Sequence, residues 1–135
     1  MRRRNRRHAV ALKYRAAAAE RHRVVRVALR QVGVPYVWGG ASRRGFDCSG
    51  LVRYVYQRFG VSLPHYTFSQ FERGTWVPRR ALAPGDLVFF HGLDHVGLYV
   101  GGGRVVHAPH TGTRVQVSAI SWIGGYYGAR RLIHV

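Results

Sequence analysis

The chain has 135 residues, room for one domain, and its 47% apolar and 13% aromatic content excludes wholesale disorder. It carries 22 basic residues against five acids, a formal charge of +17, and no apolar run approaches the roughly 18 residues of a membrane-spanning helix. A single cysteine, Cys48, excludes a disulfide scaffold and any multi-thiolate zinc site within the chain.

The charge is uneven. Residues 1–30 hold eleven basic groups and one acid, whereas residues 31–135 hold eleven and four. Residues 1–23 read as a basic N-terminal arm, partly disordered or helical, and residues 24–135 as the folded domain. The run Arg2–Arg4, Arg6, Arg7 is like the charged start of a signal peptide, but Lys13 and Arg15 break the apolar stretch that should follow. Such an arm is either simply solvated or attracted to a polyanion: nucleic acid, anionic lipid or an acidic wall polymer.

From Ala16 to Val32 the spacing predicts a helix with Val25, Ala28, Leu29 and Val32 on its buried face, stopped by Gly33 and Pro35. Tyr36-Val37-Trp38-Gly39-Gly40 and a loop over 41–46 follow. A second helix opens at Asp47-Cys48-Ser49-Gly50, buries Leu51, Val52, Val55, Tyr56 and Phe59, and closes at Gly60. After Leu63-Pro64 and a polar, aromatic connection the period changes. Leu87–Phe90, His95–Val100, Arg104–Ala108, Arg114–Val117 and Tyr126–Ile133 read as strands, with Gly101-Gly102-Gly103 as a hairpin turn. Helices followed by four or five antiparallel strands is an α+β pattern.

Cys48 falls at a helix N-terminus, where partial positive charge and unpaired N–H groups favour a thiolate nucleophile. The polar neighbours Asp47 and Ser49 support that reading over a buried, inert thiol. A cysteine nucleophile needs a base and a group to orient it. The glycine-rich hairpin brings His95 and His107 close to opposite each other, which suits those two roles. An alternative makes His91, His95, His107 and His110 a metal site with Asp94, but no recognised ligand spacing is present. No metal and no cofactor are expected.

The segments Tyr36–Gly40, Phe46–Val52, Leu63-Pro64, Pro84–Phe90, His95–Gly101, His107-Ala108 and Gly128–Arg131 together resemble the NlpC-type cysteine peptidases, which are papain-like cell-wall hydrolases. The resemblance covers residues 24–133. It implies N-terminal helices packed on a four- to five-stranded antiparallel sheet, with Cys48 as nucleophile, His95 as base and His107 as orienter. It further implies an oxyanion hole from Tyr36 and the Cys48 N–H, and substrate contacts from Asp47, Ser49 and Trp38. The implied substrate is the peptidoglycan stem peptide, cut between D-γ-glutamyl and a diamino acid by a monomeric enzyme at the cell wall or outside the cell. This chain has His65 where the family usually has arginine. Two other functions fit parts of the pattern: a nucleic-acid- or polyanion-binding basic protein, although no specific nucleic acid is expected, and a thioester acyltransferase on the same catalytic set.

Overall fold

The computed structural model describes residues 2–133; Met1, His134 and Val135, which the expected arm and domain include, lie outside them. The first helix, α1, runs from Arg2 to Leu29, so it begins well before Ala16. The cause is composition: alanine and arginine are strong helix formers, and no glycine or proline intervenes before Gly33. Residues 5–16 of α1 are exposed. Its packed face is Ala17, Val24, Ala28 and, just beyond the helix, Gln31, rather than the face through Val25, Leu29 and Val32; Leu29 and Val32 are exposed. The two candidate stripes overlap at Ala28. The packed one buries Val24 and Ala28 fully in the main core, and the Gln31 amide is satisfied beside it, donating from Nε2 to Val27 O at 2.8 Å and accepting from Arg43 Nη1. Arg21 Nη2 also donates to Ile133 O at 2.9 Å, so α1 is tied to the domain before Val24.

A two-stranded hairpin, β1 (Ala41–Ser42) and β2 (Gly45–Phe46), precedes the second helix, α2 (Cys48–Gln57). A short helix, α3 (Thr67–Gln70), and a short strand, β3 (Thr75–Trp76), occupy the polar connection. Then come β4 (Leu87–Phe90), β5 (His95–Gly101), β6 (Arg104–His107), β7 (Gln116–Ala119), a short α4 (Ile120–Ile123) and β8 (Tyr126–Arg131). The main sheet is antiparallel, in the order β3-β8-β4-β5-β6-β7. It comprises the five expected strands and β3 at one edge, too short to carry a two-residue period.

The fold is α+β, helices on an antiparallel sheet. Strand alternation distributes the core. Leu87, Phe89, Val96, Leu98 and Val106 pack with Val24 and Ala28 of α1 and with Leu51, Val52, Val55 and Tyr56 of α2. Val88, Phe90 and Val105 point the other way and are covered by Ile120 of α4 with Leu82, Tyr99, Ile123 and Tyr126. The Pro84-Gly85-Asp86 turn is fastened by charge. Asp86, 1% exposed, accepts from Arg131 Nε and Nη2, each at 2.9 Å, and from the Ala83 N–H at 2.8 Å. A bidentate, charge-assisted fork of this kind adds about 1–3 kcal/mol and fixes where β4 leaves the turn.

Candidate active site

The start of α2 is built around one carboxylate. Asp47 is the N-cap, with extended backbone, and its Oδ1 accepts from the Gly50 N–H at 2.7 Å. The same oxygen accepts from Ser49 Oγ at 3.3 Å and pairs with His65 Nε2 at 2.7 Å, while Oδ2 accepts from the Gly39 N–H at 3.2 Å. Gly50 has to be glycine: a Cβ there would lie 1.9 Å from Gly40 O. Gly40 O accepts from the Asp47 N–H at 3.0 Å, so the Gly39-Gly40 loop and the helix start form one packed unit. The Asp-Cys-Ser-Gly run thus has a mechanical reason for three of its four members, and Cys48 is what that unit presents.

Cys48 and His95 line one cavity of about 540 Å³, with Tyr36, Trp38, Asp47, Ser49 and His65 also on its walls. Every residue expected at the site except His107 is in that lining. His107 stands behind His95, buried. A bulge between Tyr99 and Gly101 sets Leu98 opposite Val106, so His107 lies across from Gly97 and meets His95 on the diagonal rather than directly opposite it. His95 Nε2 and His107 Nδ1 are 2.8 Å apart. His107 Nε2 in turn lies 2.8 Å from Ser118 Oγ on β7. Ser118 carried no signal in the sequence, because a lone serine on a strand is unremarkable and only the β6–β7 pairing places it.

The electrostatics correct one expectation. The helix N-terminus does not hold Cys48 as a resting thiolate. Burial pushes its pKa up to about 11, and the Asp47 charge adds to that; N–H groups of Val96, Ser49 and Cys48 itself pull down without offsetting it. His95 is held down to about 3, first by burial and then by the neighbouring His107, His91 and His110. His107 is held down to about 4 by burial and by His110. The resting pair at neutral pH is therefore a neutral thiol and a neutral imidazole. The contact to the Val96 N–H also sets the sulfur against the first residues of β5, beside His95.

Tyr36 keeps its proton too. Burial raises its pKa, and the negative charges of Asp47 and Asp94 raise it further, so the phenol is an O–H donor at the cavity wall. The Cys48 N–H, at the first helical position, has no intrahelical acceptor and is the other donor available there. Trp38 is 86% exposed at the rim. Among the described residues no group of three or more His, Cys, Asp or Glu side chains is placed to hold a metal ion.

Comparison with known proteins covers most of this architecture. The model of the NlpC/P60 family matches residues 33–133. A probable endopeptidase of Mycobacterium tuberculosis is 44% identical over 116 residues, 85% of this chain and 30% of that protein. The gamma-D-glutamyl-L-lysine dipeptidyl-peptidase of Bacillus subtilis is 40% identical over 96 residues, 67% of this chain and 32% of that protein. The chain thus spans about a third of the length of these curated relatives. The structure of the peptidoglycan hydrolase RipB from Mycobacterium tuberculosis superposes with a TM-score of 0.80 at 36% identity, over 90% of this chain and 69% of that one. A match that contains the α2 start, the β5 histidine and all the strands between them leaves one assignment: the chain belongs to the NlpC/P60 family.

Proposed function

We propose that this protein is a cysteine peptidase that hydrolyses an amide bond in peptidoglycan stem peptides, between D-γ-glutamyl and a diamino acid, and that it works at the cell wall. The observation that carries the reading is the cavity shared by Cys48 and His95, with His107 behind His95 at 2.8 Å. The bond itself is inferred from the Bacillus relative, whose name specifies it.

The base role fixes the tautomers. His95 must accept a proton, and its Nε2 faces His107, so it donates Nε2–H to His107 Nδ1 and takes the thiol proton at Nδ1. His107 then carries its own proton on Nε2 and donates it to Ser118 Oγ. Transfer of the Cys48 proton to His95 accompanies sulfur attack on the carbonyl carbon. The Tyr36 hydroxyl and the Cys48 N–H receive the developing oxyanion. The C–N bond breaks as His95 returns the proton to the leaving amine, which leaves a thioester on Cys48. Water, deprotonated by His95, then releases the acyl group as a carboxylic acid and restores the thiol.

Asp47 and Ser49 hold the substrate's free amine, with Trp38 against the peptide. Asp47 Oδ1 already accepts from Gly50 and Ser49 and pairs with His65, so an incoming ammonium competes with the His65 ring N–H for that oxygen. Digestion of purified muropeptides followed by mass spectrometry tests the reading. Products ending in D-γ-glutamate with a new diamino-acid amine are expected. Cleavage at another bond would overturn the specificity, and an acyl group moved to an added amine would make the protein a transferase.

The exposed part of α1 has a separate role in this reading. With five acids in the whole chain, its basic groups are mostly solvated, and they bind an anionic wall polymer or lipid surface. Deleting residues 1–15 spares Ala17 and Arg21, which pack on the domain. The truncated protein is expected to keep its turnover of soluble peptide and to cosediment less with intact walls, an effect that raised salt reproduces in the full chain. Equal cosedimentation of both proteins at low salt would refute the tether.

A further inference from the structure

The two reacting groups sit on separate parts of the fold. Cys48 opens α2, and His95 opens β5 in the sheet. Apolar packing joins α2 to the sheet, and such packing is non-directional. At the far end of α2 the Tyr56 hydroxyl donates to Gly85 O, just before β4. At the catalytic end, beside the thiol's own contact to the Val96 N–H, the bridging hydrogen bonds come from α3. That short helix carries two buried polar side chains, Thr67 and Gln70.

Gln70 is fully buried and faces two carbonyls. Its Nε2 donates to Ser49 O at 3.0 Å and to Pro64 O at 2.8 Å. Both partners are acceptors, so the amide has to present its nitrogen to them. Ser49 follows Cys48, and Pro64 precedes His65, the partner of Asp47. The Oε1 of the same amide is buried without a partner among the described residues. A buried orphan acceptor is a cost to the fold. The side chain is kept for its two donors, and these bind backbone beside the nucleophile.

Thr67 works on the other side. Its Oγ1 donates to Leu93 O at 2.5 Å, two residues before His95. The turn it meets contains two non-glycine residues at positive φ, His91 at 53° and Leu93 at 75°. Backbone of that kind persists where its surroundings over-determine it. Here the His91 N–H donates to Gly125 O at 2.7 Å, the Asp94 N–H donates to His91 O at 3.2 Å, and the Thr67 hydroxyl holds Leu93 between them. Without that hydroxyl the turn is free to relax, and His95 moves with it.

We propose that α3 braces the catalytic site and that Thr67 and Gln70 are positioning residues: Gln70 fixes the start of α2, Thr67 fixes the turn into β5, and together they set the Cys48 thiol against His95. The inference deepens the peptidase reading above and rests on it.

Cys48 is the one cysteine of the chain, so its alkylation by iodoacetamide reports that alignment without a peptide. The S–C bond forms, iodide leaves and the thiol proton passes to His95. Thr67→Val and Gln70→Met nearly preserve side-chain size and remove the donors. Each is expected to lower kcat on a soluble stem peptide about ten-fold or more, with KM within about two-fold, as small misplacements of reacting groups do. Alkylation should slow by a similar factor, and Thr67→Ser, which keeps the hydroxyl, should run at the wild-type rate in both assays. Mere loosening of the fold predicts the opposite sign, since exposure brings the thiol pKa down from about 11 and speeds alkylation. Alkylation unchanged or faster in both variants, a loss carried by KM, or a Thr67→Ser protein as slow as Thr67→Val would overturn the brace. Absence of D-γ-glutamyl cleavage by the wild-type protein, with alkylation still slowed in the variants, would instead refute the peptidase reading beneath it.

Discussion

Cys48→Ser is expected to lower hydrolysis of stem peptides by about 10⁴-fold or more with the fold unchanged. The side chain is half-buried at the first position of α2, and the capping of that helix depends on Asp47, Gly50 and Gly40, none of which the substitution touches. Serine is nearly isosteric, so packing gives little reason for a change in stability. The chemistry gives a large one. In the protein the thiol is a neutral group held up to about 11, and its proton has to move to His95 during attack. A hydroxyl starts from a far higher pKa, and an alkoxide in the same buried position would be costlier still. The measurement is turnover of a soluble peptide beside the thermal midpoint of both proteins. Equal midpoints with retained turnover would remove Cys48 from the mechanism.

The same resting state bears on thiol reactivity. A helix N-terminus alone argues for a thiolate, and the sequence offered nothing against it. What outweighs it is burial of the thiol, with its sulfur against the start of β5, nearly fifty residues away along the chain. Where information was local, the sequence was readable. The start of α2 and strands β4, β5 and β6 followed from periodicity and turn residues, while α2 ends at Gln57, short of Gly60. Where it was relational, it was not. The His95–His107 contact runs on a diagonal because of a bulge beside Gly101, and periodicity does not encode a bulge. Ser118 and the His65–Asp47 pair join residues 11 and 18 positions apart through register and loop packing. In α1, two apolar stripes shared Ala28, and packing of Val24 with the sheet and α2 decided between them.

Removing the base and its support should give a graded series with a pH signature. His95→Ala is expected to lower kcat by about 10³-fold or more, since it removes the general base. His107→Ala leaves the base present but unheld, and a loss of about 10²-fold is expected from misorientation. His107→Gln should recover part of that loss, because its amide oxygen accepts the His95 Nε2–H where alanine offers nothing. The pH profile separates orientation from mere packing. His95 works as the neutral base and is held near 3, so kcat/KM should stay level through neutral pH and fall only in strong acid. His107 is one of the neighbours that hold it down, so both His107 variants should move the acid limb upward, whereas Ser118→Ala, which removes no titrating group, should leave it in place. Stability follows the same sign. Both imidazoles bind protons less readily folded than unfolded, so their contribution is fully present above about 6.5 and is lost as pH falls through the folded values of about 4 and about 3. Circular dichroism at each pH separates this unfolding from the kinetic limb. An acid limb that stays put in His107→Ala, with turnover lost equally by the glutamine and alanine variants, would reduce His107 to a packing residue.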